Sequence, residues 1–185
     1  MRVLVACEFS GRVRDAFRAR GHEAVSCDLL PTEVEGPHYQ GDVRDILEEG
    51  WDLMIAHPPC TRLSFAGAHL FKLYPLEIAE SLAFVRQLMD APIHRIAIEN
   101  PRSLIHTRIR PRDEEIQPWM FGDPFRKATW LWLKHLPPLM PSRIIAERLE
   151  FVNEVPGGKE QWKIRSRTFP GIAAAMAEQW GRLQP

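Results

Sequence analysis

The tripeptide Pro58-Pro59-Cys60 follows the apolar run Leu53-Met54-Ile55-Ala56, a position that predicts a thiol in a loop beyond the end of a buried strand. Such a loop could hold the thiol against a flat ring, which suggests a nucleophile. Because a free cysteine has a pKa near about 8.5, a nucleophilic Cys60 needs positive charge or hydrogen-bond donors nearby. Arg62 and His57 are close enough in sequence to supply them. The alternative is that Cys60 is a small apolar residue in a turn shaped by the two prolines.

Further polar residues follow the ends of other predicted strands, where doubly wound sheets bind their ligands. Gly11 would let the backbone approach a ligand, and Asp28 stands about where a carboxylate accepts hydrogen bonds from a ribose diol. Asp42 adds a second carboxylate, and Glu99-Asn100 closes a later segment. The chain reads Ser10-Gly11-Arg12-Val13-Arg14 where a dinucleotide fold has GxGxxG, so a nucleoside cofactor without phosphates fits better. Taken singly, each glycine or acid is also consistent with a turn or a helix cap.

The spacing of apolar residues predicts the elements that would position these side chains. Continuous apolar runs are typical of strands buried on both faces of a parallel sheet, and spacings of three and four indicate helices. We predict strands at residues 2–8, 23–28, 53–57, 95–99 and 128–133, and helices at residues 12–20, 76–89 and 171–182. This alternation favours an α/β fold with a doubly wound, mostly parallel sheet. The length of 185 residues is that of one domain, so we assign residues 1–185 to a single unit.

Composition limits the classes of function. Lysine and arginine together number 24, as do aspartate and glutamate, so any contact with nucleic acid needs a local basic patch. The three cysteines are dispersed and predict neither a disulfide framework nor a zinc site, and we expect no metal. No apolar run approaches the roughly 20 residues that span a bilayer. The chain begins with a strand-like segment rather than a signal peptide, so we expect a cytoplasmic protein without membrane contact.

Five motifs occur in order along the first part of the chain: Phe9-Ser10-Gly11, Asp28, Gly41-Asp42-Val43, Pro58-Pro59-Cys60 with Ser64, and Glu99-Asn100. Their order resembles that of the DNA cytosine-5 methyltransferases, and the chain looks like a compact phage or prophage relative of them. The specific part of the resemblance is Pro-Pro-Cys with the downstream Glu-Asn pair, because the glycine and aspartate motifs recur in S-adenosylmethionine enzymes generally. The resemblance implies the Rossmann-like sheet of S-adenosylmethionine-dependent methyltransferases.

The same resemblance implies how the cofactor would be held. Phe9, Gly11 and Pro58 would line an S-adenosylmethionine site. Asp28 would hold the ribose hydroxyls, and Asp42 would contact the adenine amino group.

On the substrate side, the resemblance implies that Cys60 is the nucleophile that adds to C6 of cytosine, with Ser64 and Asn100 in contact with the substrate. Glu99 would be the acid that contacts the cytosine edge: if burial raises its pKa, its carboxyl could hydrogen-bond or protonate N3 while contacting the exocyclic amine. Lys127 would take over part of the charge stabilisation if residues 121–133 correspond to the family segment with a Gln-x-Arg-x-Arg core. The three polar positions of that core fall at Phe125, Lys127 and Thr129.

The chain also departs from the family pattern. His57 and Thr61 flank Pro-Pro-Cys where the family usually has Gly and Gln. Residues 134–168 are too few for the usual target-recognition domain, so sequence-specific readout would come from a protein partner or a second copy of the chain. Arg165 and Arg167 belong to a basic run that could bind phosphates nonspecifically or lie on a solvated surface.

Together these features favour S-adenosylmethionine-dependent methyl transfer to C5 of cytosine in DNA, through a covalent cysteine adduct and with low or partner-dependent sequence specificity. A base in duplex DNA would have to be flipped out first. One alternative keeps this chemistry but acts on a free pyrimidine nucleotide or on RNA. Another is a non-catalytic binding module with a methyltransferase fold.

Overall fold

The computed structural model describes residues 1–183, and its centre is a seven-stranded sheet with the strand order β3-β2-β1-β4-β5-β8-β6. Strands β7 and β9 form a separate two-stranded sheet. In chain order the strands are β1 (Arg2–Ala6), β2 (Glu23–Asp28), β3 (His38–Gln40), β4 (Leu53–Ala56), β5 (Arg95–Asn100), β6 (Glu114–Ile116), β7 (Phe125–Arg126), β8 (Thr129–Lys134) and β9 (Leu149–Glu150).

Helices flank the sheet and fill the connections between strands. The α-helices are α1 (Arg12–Arg18), α2 (Pro75–Met89), α3 (Ile105–Arg108), α4 (Phe151–Glu154), α5 (Gln161–Ser166) and α6 (Pro170–Gln179). Three 3-10 helices lie at Val43–Asp45, Phe65–Leu73 and Pro118–Met120. Among the described residues, the search for a helix long and apolar enough to cross a membrane found none.

The central strands are mostly apolar because helices cover each of their faces. Val3 and Ile55 point to the face packed with Phe17 of α1 and Met176 of α6. Neighbouring strand residues point to the other face, where they pack with α2; this second core includes Leu4, Met54, Ile96, Val85 and Leu88. A strand buried on both faces has no polar alternation, which explains the continuous apolar runs in the sequence. The predicted α/β fold with a doubly wound, mostly parallel sheet is therefore confirmed.

The direction of β8 determines which residues meet at the carboxyl edge of the sheet. Strands β1 to β5 are mutually parallel, whereas β8 is antiparallel to both β5 and β6. Asn100, the last residue of β5, pairs with Trp130 near the start of β8. Residues just before β8 consequently lie beside residues that follow the parallel strands.

The predicted elements agree with the structure to within one to three residues at most ends, and β2 matches at both ends. The predicted strand at residues 2–8 ends earlier, at Ala6, because Cys7 turns the chain with a φ of 58°. Seven short strands and α-helices were not predicted: β3, β6, β7 and β9, and α3, α4 and α5. Each has only two to six residues, too few to establish a periodicity.

Candidate active site

In the sheet, β1 lies between β2 and β4, and a cavity of about 260 Å³ opens beyond the ends of these strands. This is the topological switch point of the sheet, the usual ligand site of a doubly wound fold. Asp28 and Asp42 line one side of the cavity, and Pro59 and Phe84 contribute apolar surface. Cys7 lines this cavity and also a smaller one of about 40 Å³.

The two carboxylates in the larger cavity differ in their surroundings. Asp28 ends β2 and accepts a hydrogen bond from the backbone N–H of Leu30 at 2.9 Å. Burial raises the pKa of Asp28, and that hydrogen bond offsets part of the effect. Asp42 caps a 3-10 helix, and hydrogen bonds from the Arg44 side chain and backbone lower its pKa to about 2. Both carboxylates therefore stand where the sequence predicts cofactor contacts.

The turn between β1 and α1 is filled by the protein's own side chains. Gly11 has a φ of 71°, and a Cβ atom there would lie 2.5 Å from Nη2 of Arg14 and 2.6 Å from the Val34 side chain. Glu8 is buried and caps α1, because its Oε1 accepts hydrogen bonds from the Val13 N–H at 2.8 Å and the Ser10 hydroxyl at 3.1 Å. The close approach that Gly11 allows is thus made by Arg14 and Val34.

The buried Arg14 holds the loop of residues 29–36 against this turn. Its guanidinium donates to the Ser26 and Thr32 hydroxyls, both at 3.2 Å, and to the Val34 and Glu35 carbonyls at 3.3 and 3.2 Å. The Glu33 N–H completes the attachment by donating to the Phe9 carbonyl at 2.8 Å. Because the loop begins next to Asp28, these bonds also fix one wall of the larger cavity.

Phe9 lines the smaller cavity and does not line the larger one. Its side chain is buried, and its ring centroid is 6.0 Å from that of Trp162 on α5. His57 and Arg167 also line the smaller cavity. Cys7, just after β1, lines both cavities.

A hydrogen bond from β5 shapes the Pro-Pro-Cys loop. Asn100 is almost fully buried, and its Nδ2 donates to the Pro58 carbonyl at 2.9 Å. Pro58 is buried, whereas Pro59 is exposed to the larger cavity. The Cys60 carbonyl accepts from the backbone N–H groups of Leu63 and Ser64, which closes a tight turn after the thiol. Cys60 therefore directly follows Pro59, one of the residues that line the larger cavity.

The charges that act on Cys60 are not the ones that sequence proximity suggested. Burial raises the pKa of the Cys60 thiol and the Glu99 carboxylate adds to that, while Lys127 and Arg165 oppose both effects. The Arg62 guanidinium instead lies 3.7 Å from the centroid of the Tyr74 ring. The positive charge comes from residues distant in sequence, which no local pattern could indicate.

The condition that burial raises the pKa of Glu99 is not met in the structure. The Glu99 side chain is only 16% exposed, and burial alone would raise its pKa. The His57 Nδ1 atom lies 3.0 Å from Glu99 Oε2, and this hydrogen bond, with the charges of His57 and Lys127 and a hydrogen bond from Thr129, lowers the pKa below its usual value. Glu99 is accordingly a carboxylate in the free protein at neutral pH.

Lys127 lies in the same electrostatic group as Cys60 and Glu99. Burial lowers the pKa of Lys127, and the charges of Glu99 and Cys60 act in the opposite direction. Its Nζ donates to the Arg165 carbonyl at 2.7 Å and stands 5.7 Å from the centroid of the Phe169 ring. The structure thus brings together the three residues predicted as catalytic, from the loop after β4, from β5 and from just before β8.

The remaining predicted substrate residues have structural partners. Ser64 caps a 3-10 helix by accepting from the Ala66 N–H at 3.3 Å. The Arg167 guanidinium forms an ion pair with Glu33 at 2.6 Å. Arg165 acts on the Cys60 thiol by charge. Within residues 1–183, a search for groups of three or more His, Cys, Asp or Glu side chains that could hold a metal ion found none.

Comparison with known proteins agrees with this architecture. No family model matches the sequence, and no curated protein matches it. Among solved structures, the chain is similar to an E. coli protein described as a DNA modification methyltransferase encoded within a prophage, with 15% identity, a TM-score of 0.53 and coverage of 78% of this chain and 52% of that one. It is also similar to the Entamoeba histolytica methyltransferase EhMeth, with 15% identity, a TM-score of 0.54 and coverage of 86% of this chain and 61% of that one.

These likenesses define the fold. The chain has a Rossmann-like methyltransferase fold, and it spans between half and about three fifths of the length of the two similar structures.

Proposed function

We propose that this protein transfers a methyl group from S-adenosylmethionine to C5 of cytosine in DNA through a covalent adduct on Cys60. The observation that carries the proposal is the electrostatic group of Cys60, Glu99 and Lys127 beside a cavity that ends at Pro59. A nucleophile adjacent to a cofactor-sized cavity is what methyl transfer onto an activated ring needs, because donor and acceptor must meet.

The residues around the larger cavity fit S-adenosylmethionine. Asp28 is a partly buried carboxylate whose remaining acceptor capacity suits the two ribose hydroxyls, and Asp42 suits the adenine amino group. Phe84 and Pro59 supply apolar surface for a flat purine. The cofactor, when bound, would supply an electrophilic methyl group.

Cys60 and its neighbours account for activation of the substrate ring. Attack of the Cys60 thiolate on C6 pushes electron density toward C5, the atom that accepts the methyl group. Lys127 stabilises the negative charge that develops on the ring, because a cation in a buried site interacts strongly with a nearby anion. Glu99 accepts a hydrogen bond from the exocyclic amine and, once protonated, donates to N3. Loss of the C5 proton and expulsion of the thiolate then restore the aromatic ring.

DNA is the substrate that the similar structures suggest, since one of them is described as a DNA modification methyltransferase. A duplex base must leave the stack to reach Cys60, which is only partly exposed. Between β8 and α6 the chain has β9 and the short helices α4 and α5, so we propose low intrinsic sequence specificity or recognition through a partner. Because the charge of Arg165 acts on Cys60, we propose that Arg165 binds a phosphate near the flipped base.

The decisive experiment measures transfer of a labelled methyl group from S-adenosylmethionine to duplex DNA, single-stranded DNA, RNA and dCMP. We expect label in C5 of cytosine in DNA, and complete loss of transfer in Cys60→Ala with cofactor affinity unchanged. Ser81→Ala, which removes a small polar side chain on α2 that lines neither cavity, is the control and should keep activity. A Cys60→Ala protein that still transfers methyl groups would refute the mechanism.

The same panel separates the alternatives. Label in RNA or dCMP alone would keep the chemistry and change the substrate. Failure on every nucleic acid, together with no covalent adduct on 5-fluorocytosine DNA in the presence of cofactor, would leave a binding module with a methyltransferase fold.

A further inference from the structure

His57 connects the active site to the smaller cavity. It follows β4 directly, its side chain is only 8% exposed, and its backbone N–H donates to the Ala6 carbonyl at 2.9 Å. Its Nδ1 atom lies 3.0 Å from Glu99 Oε2. Because a carboxylate can only accept a hydrogen bond, the proton of this contact is on Nδ1.

The other ring nitrogen points away from Glu99. Nε2 of His57 is buried and has no hydrogen-bond partner among the described residues. The His57 side chain lines the smaller cavity, whose wall also includes Ser10 and Thr168. At about 40 Å³ this polar cavity has room for a water molecule that would bond to Nε2. One imidazole thus joins a polar cavity to the carboxylate beside the nucleophile.

The reaction needs a proton for N3 of cytosine, and the Glu99 carboxylate does not carry one. Attack on C6 of cytosine is assisted by a proton on N3, and a carboxylate cannot donate one. We propose that His57 is a positioning residue that supplies, through Glu99, the proton that N3 requires, an inference that rests on the proposed function. The histidine stands where the cytosine-5 methyltransferases usually have a glycine, so this source of protons would be particular to this chain and its nearest kin.

The proton transfer balances when a proton from solvent enters through the smaller cavity. An N–H bond forms on Nε2 of His57 as its Nδ1–H bond breaks and an O–H bond forms on Glu99, so the imidazole stays neutral with its proton on Nε2. The O–H bond of Glu99 then breaks as N3–H forms and Cys60 sulfur bonds to C6. When the thiolate leaves and the ring becomes aromatic again, the proton returns from N3 to Glu99 and then to His57.

The charges around His57 will influence the pH at which this transfer works. They come from every element packed against the ring: Glu99 on β5, Lys127 beyond it, Asp28 at the end of β2, and Glu8 and Arg167 across the smaller cavity. A pH profile therefore reports on His57 and Glu99 as a pair.

The test compares His57→Asn with the wild type between about pH 5.5 and 8.5. Asparagine places an amide N–H near the position of Nδ1, so it keeps the bond to Glu99 but cannot pass on a proton. We expect kcat to fall about 100-fold at the alkaline end, with the difference shrinking as the pH falls and Glu99 takes up its own proton. The ratio of the two rates cancels the titration of Cys60, which both proteins share. A ratio that is constant with pH would overturn the proposal.

Chemical rescue provides the second arm. His57→Gly restores the residue that the family usually has and leaves space beside Glu99, so added imidazole should recover at least about tenfold in rate. No rescue in a variant that melts like the wild type and binds cofactor would refute the proton supply. A wild type without activity on any substrate would refute the proposed function itself. In that case an NMR titration of the His57 ring that is unchanged in Glu99→Gln would separately exclude coupling of the pair.

Discussion

Replacement of Arg14 by methionine should loosen the wall of the proposed cofactor site and destabilise the whole domain. The Arg14 side chain is fully buried, and its guanidinium bonds two hydroxyls, two carbonyls and the carboxylate of Asp15 at 2.7 Å. Methionine fills most of the same volume but donates no hydrogen bonds. The Ser26 hydroxyl would stay buried without its partner, and the partly exposed groups of the loop of residues 29–36 would lose their attachment to α1.

The magnitude follows from the environment of those groups. Only the Ser26 hydroxyl among them is fully buried, so the loss of these hydrogen bonds should cost about 1–3 kcal/mol. For a chain of 185 residues, each kcal/mol lowers Tm by about 2–4 °C, so we expect a decrease of about 2–12 °C. Because the loop begins beside Asp28, affinity for S-adenosylmethionine should fall as well.

Urea unfolding followed by fluorescence of the six tryptophans measures the free energy of unfolding. Arg18→Met is the matched control, since Arg18 lies on the exposed face of the same helix, and it should change the free energy by less than about 0.5 kcal/mol. An Arg14→Met protein within about 1 kcal/mol of the wild type would show that the buried guanidinium is not what holds the loop.

A double-mutant cycle tests the geometry more finely. A Cβ atom on Gly36 would lie 2.7 Å from Cζ of Arg14, so Gly36→Ala should be destabilising on its own. With methionine at position 14 the clash with the guanidinium is gone. The double mutant should therefore be destabilised by at least about 1 kcal/mol less than the sum of the two single destabilisations. Strict additivity would contradict this packing.

The proposed active site gives three further predictions. Asp28→Asn should raise the Kd for S-adenosylmethionine about 10- to 100-fold because a charged acceptor is lost, and calorimetry that finds an unchanged Kd would exclude Asp28 as the ribose ligand. Lys127→Met removes the cation that lowers the pKa of both Cys60 and Glu99, so alkylation of Cys60 near neutral pH should slow about tenfold; an equal or faster rate would contradict that electrostatic coupling. Asn100→Ala releases the Pro58 carbonyl and should lower kcat about 10- to 100-fold with cofactor affinity nearly unchanged, which single-turnover kinetics and calorimetry together can check.

The sequence predicted the sheet because its central strands are buried on both faces. The runs that became β1, β2, β4 and β5 leave few other choices for so many consecutive apolar residues. By contrast, the three residues of β3 are partly or fully exposed and form a strand only by pairing with β2. Such pairing depends on tertiary structure that a local pattern does not contain.

The sequence was enough to choose the residues of the candidate site, but it predicted less well which charges set their pKa values. Cys60, Glu99 and Lys127 could be chosen from motifs, but the partner of Glu99 is His57, which the sequence suggested for Cys60 instead. Whether burial or charge determines the pKa of Glu99 depends on distances across β4, β5 and β8. Glu8, four residues before the predicted start of α1, was a cap that its position could have signalled.

Glu8 also determines which adenosine compounds can compete for the cavity. Nucleoside triphosphates share the adenosine of the proposed cofactor, but the N–H groups that would hold their phosphates at the start of α1 already donate to this carboxylate. A phosphate would meet a like charge and find those donors taken, whereas a cationic sulfonium compound gains from a nearby negative charge. The consequence would be selection by charge, which would disfavour ATP and favour the proposed sulfonium cofactor.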